Sequence, residues 1–457
     1  MADTKNKLGK KEAMELAGQY IDFLATCRTG VEVCDFIHDE ARKSGFSEKG
    51  QSHDKGALQL SLRFNDRCGV LFSIADFSRI GEGLKILGSH VDSPRLDLKP
   101  VPPVEKFGVG TLQTRYYGGI KKHHWVGIPL ELHGRGQSKS GDRFSVKVGR
   151  DAADPVFTIS DLAPHLGHQP DGGAPNSSKI SAEHLNVIAG LSDKTEAKDK
   201  TSSAFVDNML KTLGLDAADF ITGEFEAVPA MAPRYVGFEK KMIGGYGHDN
   251  RACTFAALQA FLRMQKEGQN CAFIFTDREE VGSQGVHGAD SNILERFLFE
   301  VFEAYGEKDY FLLRKTISNS VMLSGDVNVA LDPSWPGPTD ERNSGHLGKG
   351  VCIAKYTGSR GKRMASEADS SLVSQMRNIM IRDGLPWQPG ELGKVDFGGG
   401  GTVAMHFARQ GVQVFDMGPP ILSMHSPYEI MAISDLETTV LAYTAFLEQF
   451  EIQDPVS

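Results

Sequence analysis

Seven residues in five short stretches have the types that metal-assisted hydrolysis needs. They are His90 and Asp92 in SHVDSPRL, Asp249 in GHDNR, Glu279 and Glu280 in FTDREEVGS, Asp326 in LSGDVN and His425 in LSMHSP. Two neutral imidazoles and three carboxylates form a mixed nitrogen–oxygen ligand set that suits zinc. A further carboxylate beside a ligand can serve as a base, so the inventory matches a two-metal hydrolase. Cobalt and manganese are the other ions such a set accepts.

Taken singly, each stretch has a plainer reading. An isolated H-x-D is more often structural. Its place after an apolar run and before Pro94 favours His90 as a ligand, with Asp92 hydrogen-bonding nearby groups to fix geometry and basicity. Asp249 directly precedes a helical pattern, where Asp is a preferred N-cap. Capping is the stronger local reading. The functional one is a carboxylate bridging two metals, whose charge a helix N-terminus tolerates. Glu279 and Glu280 follow the apolar run Phe273–Thr276 and lead to Gly282, which favours a tight site over a solvated turn. One of the pair can ligate and the other act as general base. Asp326 reads locally as a turn acid. His425, between apolar residues and Pro427, is either a ligand or a satisfied core histidine. The glycine run Gly398–Gly401 before Thr402 lacks the Lys-Ser/Thr of a phosphate-binding loop, and its spacing is not G-x-G-x-x-G, which excludes nucleotide binding. Close backbone approach near a substrate is its expected role, with Lys394 adding positive charge.

Pieces scattered over more than 300 residues converge only through an architecture that gathers strand ends. Residues 11–45 read as helix. Strand-like runs follow at 57–64, 69–75 and 84–87, the last delivering His90. From about Pro94 to Lys240, short alternating runs such as Phe144–Val148 with frequent Gly and Pro read as a β-rich insertion. Within it, 167–203 reads as a long polar surface loop. After Met242, strand and helix alternate: helix over 251–265, strand over 271–276, helix over 293–304, then strands over 321–324 and 412–416. This is one α/β domain, 1–93 with 241–457, interrupted by an insertion over 94–240.

With 457 residues, two domains are expected. A net charge of −9 argues against binding a nucleic-acid backbone. Six cysteines without a C-x-x-C pair read as reduced thiols. The first 20 residues contain no apolar core of a secretory signal, and no window reaches membrane-spanning length. A cytoplasmic protein with no membrane partner is expected.

The set resembles the aspartyl aminopeptidase and yeast-vacuolar aminopeptidase I family of dinuclear zinc exopeptidases, in its bacterial branch and over nearly the whole chain. The stretches that carry the resemblance are SHVDSPRLDLKP, YYGGIKKHHWVGIPLELHG, ISDLAPHL, VGFEKKMIGGYGHDNR, FTDREEVGSQG, SGDVNVALDP, GKVDFGGGGT and LSMHSPYE. The resemblance implies two zinc ions per subunit. His90, Asp249 and Asp326 would hold one, and Asp249, Glu280 and His425 the other. Glu279 would be the general base and Asp92 a supporting carboxylate. His165, in ISDLAPHL, resembles a histidine that reaches a neighbouring subunit's active site. The implied fold is an α/β/α sandwich catalytic domain of the zinc-exopeptidase type with an inserted β-rich dimerisation domain. Dimers would assemble into a tetrahedral dodecamer acting on peptides with a free N-terminus. Where the eukaryotic aspartyl enzymes tend to have D-M-A-H, this chain has Asp326-Val-Asn-Val329, which spares the ligand and leaves the preferred N-terminal residue open. The basic cluster Arg360, Lys362 and Arg363 reads either as recognition of an acidic side chain or as a solvated face.

Two other readings compete. A zinc carboxypeptidase or amide deacylase would use the same scaffold on different termini. A catalytically silent, self-assembling shell would not need Glu279 and every presumed ligand together.

Overall fold

A computed structural model describes residues 9–48, 57–163, 165, 180–191, 204–264, 268–361 and 363–453. The chain divides into two compact units. One comprises Met1–Ser93, Pro233–Met424 and Glu429–Ser457; the other comprises Pro94–Ala232 and His425–Tyr428. The chain thus returns to the first unit at Pro233 rather than at residue 241. The reason is local: strand Arg234–Val236 pairs antiparallel with Met242–Gly245.

The first unit is built on an eight-stranded mixed sheet. Its centre is four parallel strands, in the order Cys271–Thr276, Lys85–His90, Val321–Ser324 and Gln413–Gly418. These strands are short and almost completely buried, as parallel strands covered on both faces must be. Their side chains alternate between two cores. Leu87, Phe273, Phe275, Leu323 and Phe415 pack on one face, with helices Lys10–Thr26, His248–Arg263 and Ile433–Gln449. Ile86, Ala272, Ile274, Met322 and Val414 pack on the other, with helices Ile293–Ala304 and Tyr310–Asn319. The result is an α/β/α sandwich. A smaller five-stranded sheet beside it includes Met242–Gly245, Glu429–Ala432 and Asn328–Val329.

The second unit is an antiparallel six-stranded sheet whose longest strand is Arg95–Lys106. Val146, Phe220 and Phe225 form part of its core, beside the short helix Ala217–Thr222.

Two local expectations change. The single helix over 11–45 is two, Lys10–Thr26 and Gly30–Lys43. Thr29 starts the second with a capping box, its hydroxyl accepting the N–H of Glu32. The polar stretch 167–203 contains a strand, Val187–Leu191, paired with Val109–Tyr117, and Leu185 and Val187 are buried. The rest of that stretch, 167–179 and 192–203, lies outside the described residues. All six cysteines are buried and unbridged. Among the described residues no helix is long and apolar enough to cross a membrane.

Candidate metal centre

The parallel register brings the first-unit residues to one edge of the sheet. Thr276 lies opposite His90, and Ser324 opposite Gly88, so the loops after these strands start side by side. His90 ends its strand and is 1% exposed. Its Nδ1 lies 3.1 Å from the carbonyl of Asp92, which can only accept a hydrogen. In the neutral ring Nε2 therefore presents its lone pair. That atom lies 3.3 Å from Asp249 Oδ1, 3.7 Å from Asp326 Oδ1 and 3.9 Å from Glu279 Oε2.

His90, Asp249 and Asp326 each offer a ligand atom, and these lie within 4.8 Å of one another; His90, Glu279 and Glu280 do the same. The electrostatics fit a cation at this place. Burial pushes Glu279 up to about 8; the His90 imidazole opposes that rise, while Asp326 and Asp92 add to it. Burial also raises Asp326, with Asp249 adding to the rise and His90 opposing it. For His90 burial disfavours the charge, yet hydrogen bonds to Asp249, Asp326 and Asp92 outweigh it and hold the imidazole well above its ordinary range. Crowded carboxylates in a largely buried site need positive charge, and a divalent ion supplies more of it than one imidazolium.

Asp92 is fully buried. Its Oδ1 accepts the backbone N–H of Glu279 at 3.1 Å, and its Oδ2 that of Glu280 at 3.2 Å. The loop carrying the glutamates is fixed at its start by Asp277, whose carboxylate accepts from Arg67 at 2.6 Å.

Asp249 does not cap its helix. The N-cap is Gly247, and Asp249 and Asn250 have non-helical backbone angles inside the first turn. Gly247 has φ +79, and a Cβ there would collide with the Arg251 guanidinium at 1.4 Å. The segment is held from outside by residues that the sequence reading did not single out. Ser93 Oγ donates to the Asp249 carbonyl at 2.6 Å, and Glu429 accepts its N–H at 3.0 Å. Asn250 Nδ2 donates to the Gly325 carbonyl at 2.7 Å, tying the residue after Asp249 to the residue before Asp326. Thr254 Oγ1 lies 2.9 Å from both Ser89 Oγ and the His90 carbonyl. Ser93 and Glu429 stand inside SHVDSPRL and LSMHSPYE, so proximity to a proposed ligand was the only signal available for them.

His425 groups with the second unit, where its Nδ1 donates to the Gly119 carbonyl at 2.7 Å and leaves Nε2 as the ring's acceptor nitrogen. His165 is an exposed residue of the second unit. Lys394 spends its ammonium on the Gly337 carbonyl at 2.7 Å. The glycine run is tethered through Gly400, whose carbonyl accepts from Gly358 at 2.7 Å, and through Thr402, whose hydroxyl donates to the buried Asp416 at 2.7 Å. The helix that follows is only Ala404–Arg409. Arg360 and Arg363 are exposed, and Lys362 lies outside the described residues.

A family model described as aminopeptidase I zinc metalloprotease (M18) matches residues 23–447. A probable M18 family aminopeptidase 1 of Clostridium acetobutylicum is 39% identical over 448 residues, spanning 96% of this chain and 95% of the relative. The crystal structure of an M18 family aminopeptidase from Thermotoga maritima superposes with a TM-score of 0.89 at 35% identity, covering 97% of this chain and 98% of that one. Aminopeptidase I from Clostridium acetobutylicum superposes with a TM-score of 0.87 at 35% identity, covering 98% and 100%. An S. cerevisiae mApe1 dodecamer shares the fold alone, with a TM-score of 0.75 at 21% identity over 95% of this chain and 97% of that one.

Proposed function

The chain belongs to the M18 family of aminopeptidase I zinc metalloproteases and is an aminopeptidase, and from that premise we propose that it removes N-terminal residues from peptides at a centre of two zinc ions. The observation that carries the reading is the convergence of His90 Nε2, Asp249 Oδ1 and Asp326 Oδ1 beside the Glu279 carboxylate. His90, Asp249 and Asp326 hold one ion. Asp249, Glu280 and His425 hold the second. Two ions there supply a Lewis acid for the peptide carbonyl and lower the pKa of water towards about 7.

The protein's own part is positioning and proton transfer. Glu279 takes the proton of the attacking water and delivers it to the leaving amine, so the carboxylate returns to its starting state after one turnover. Asp92 fixes Glu279 and Glu280 through their backbone. His165 serves a neighbouring subunit's site, donating a hydrogen bond to the oxyanion that forms on the attacked carbonyl. The region 94–232 mediates self-association, and the assembly is a tetrahedral dodecamer. The protein works in the cytoplasm on peptides with a free N-terminus, and cobalt or manganese can replace zinc.

A panel of aminoacyl chromogenic substrates, assayed with each of the three metals and with free or blocked amines, tests the reading. Turnover confined to free amines is expected. Turnover of blocked substrates would favour a deacylase. A protein with no turnover and no stoichiometric zinc would be the silent shell.

A further inference from the structure

Asp249 has its backbone held on both sides by side chains from other elements. Its angles, φ −81 and ψ 106, take it out of the helical ladder that begins when the Arg251 N–H reaches the Gly247 carbonyl. A buried peptide group outside a ladder needs partners elsewhere. The carbonyl finds Ser93 Oγ at 2.6 Å, and the N–H finds Glu429 Oε2 at 3.0 Å. Ser93 is itself set by Arg251, whose Nη1 donates to it at 3.1 Å while Nη2 donates to the Arg28 carbonyl at 2.6 Å.

The residue before Asp249 is fixed as firmly. His248 is fully buried, and its Nε2 donates to the Ile243 carbonyl at 3.2 Å. Its Nδ1 therefore accepts the hydroxyl of Tyr20, at 2.7 Å. Glu429 opens the strand Glu429–Ala432, opposite Gly245 in register, and is 1% exposed. Burying a carboxylate is costly unless it accepts strong hydrogen bonds. A backbone N–H given to a carboxylate makes a bond roughly twice as strong as one to a neutral acceptor.

We propose that Glu429 is a positioning residue for the metal centre: by holding the Asp249 N–H it sets the direction in which the Asp249 carboxylate projects towards His90. The inference rests on the reading of Asp249 as a metal ligand. Glu429 does not touch the reacting atoms. It acts through the peptide plane from which the Asp249 side chain hangs, and a rotation of that plane moves an oxygen that lies 3.3 Å from His90 Nε2.

The test measures metal affinity, by chelator competition with zinc and cobalt, and the visible absorption spectrum of the cobalt-loaded full-length protein. Asp249→Ala is the control. If it binds both metals as the unmodified protein does, the ligand reading itself fails. Where the control loses metal, Glu429→Ala should weaken metal binding by roughly 10–100-fold and alter the cobalt spectrum. Glu429→Gln keeps an accepting oxygen and removes the charge, and should lose less than about tenfold. Unchanged affinity and spectrum in a folded Glu429→Ala protein overturn the proposal. So does a Gln variant as weak as the Ala variant, since Glu429 would then act through charge. If Glu429→Ala does not fold, Ser93→Ala removes the opposite hold on Asp249. It should show the same loss, with Ser93→Thr recovering it, and full affinity in Ser93→Ala overturns the proposal equally.

Discussion

Asp92 holds Glu279 by its backbone: Asp92 Oδ1 accepts the Glu279 N–H at 3.1 Å, while Oδ2 takes the N–H of Glu280 at 3.2 Å. One carboxylate thus sets the relative placement of the proposed base and a proposed ligand. The same side chain lies 3.4 Å from His90 Nδ1, so it also bears on the orientation of that imidazole. Asp92→Asn turns one accepting oxygen into an amide nitrogen that faces a backbone N–H. We expect metal affinity or kcat to fall by about 10–100-fold, the usual range for a group that orients ligands. Zinc titration and steady-state kinetics on one preparation check this, and normal values for both would remove Asp92 from the site.

Glu279→Gln should keep both metals and the fold while kcat falls by on the order of 10²–10⁴. The amide is nearly isosteric but cannot take a proton. Its backbone contact with Asp92 is untouched by the change. Elemental analysis separates the outcomes. Near-normal kcat means another group is the base, and metal loss means the roles of Glu279 and Glu280 are exchanged.

Much of this was legible in the sequence because buried parallel strands are simple objects. The runs over 271–276 and 321–324 and the amphipathic 293–304 form the elements expected there, being continuous apolar stretches or clear helical stripes. The glutamate pair was legible for the same reason, since it stands just past a strand end. Asp249 was not. Local propensity favours an N-cap, and contacts with Ser93 and with Glu429, 180 residues away, hold it out of the helical ladder. Val187–Leu191 was missed because Ala-Gly-Leu gives a weak strand signal, and its pairing with Val109–Tyr117 decides the outcome.

His90→Ala and His425→Ala should each deplete one metal site more than the other. Each supplies the single imidazole proposed for its ion. Dialysis followed by elemental analysis should give fewer than two ions per chain in both variants. Two retained ions in either variant would exclude that histidine as a ligand.

His38 offers a stability test away from the metal centre. It is buried, its Nδ1 lies 2.5 Å from Ser61 Oγ, and burial first, with the Arg63 charge second, pushes its pKa down to about 4. The unfolded chain, with an ordinary histidine near 6.5, binds more protons between these values. The stability this neutral ring represents is therefore fully present above pH 6.5 and is lost as pH falls towards 4. Between pH 8 and pH 5 the loss should be ~2 kcal/mol. His38→Gln should flatten that part of the stability profile relative to the unmodified protein, and parallel profiles would show that His38 does not carry it.

The last prediction concerns His165, exposed on the second unit and far in sequence from every proposed ligand. If it donates to the oxyanion in a neighbouring subunit's site, His165→Ala should lower kcat by on the order of 10²–10³ without loss of metal. A histidine that serves only its own loop would leave kcat alone. Complementation distinguishes a contribution across subunits from one within the same chain. Mixing His165→Ala with Glu279→Gln under conditions of subunit exchange creates sites that pair an intact Glu279 with an intact His165 from the other chain. Such mixtures should recover activity that neither variant shows by itself. Demonstrated exchange without recovery would place His165 in its own chain's site or outside catalysis.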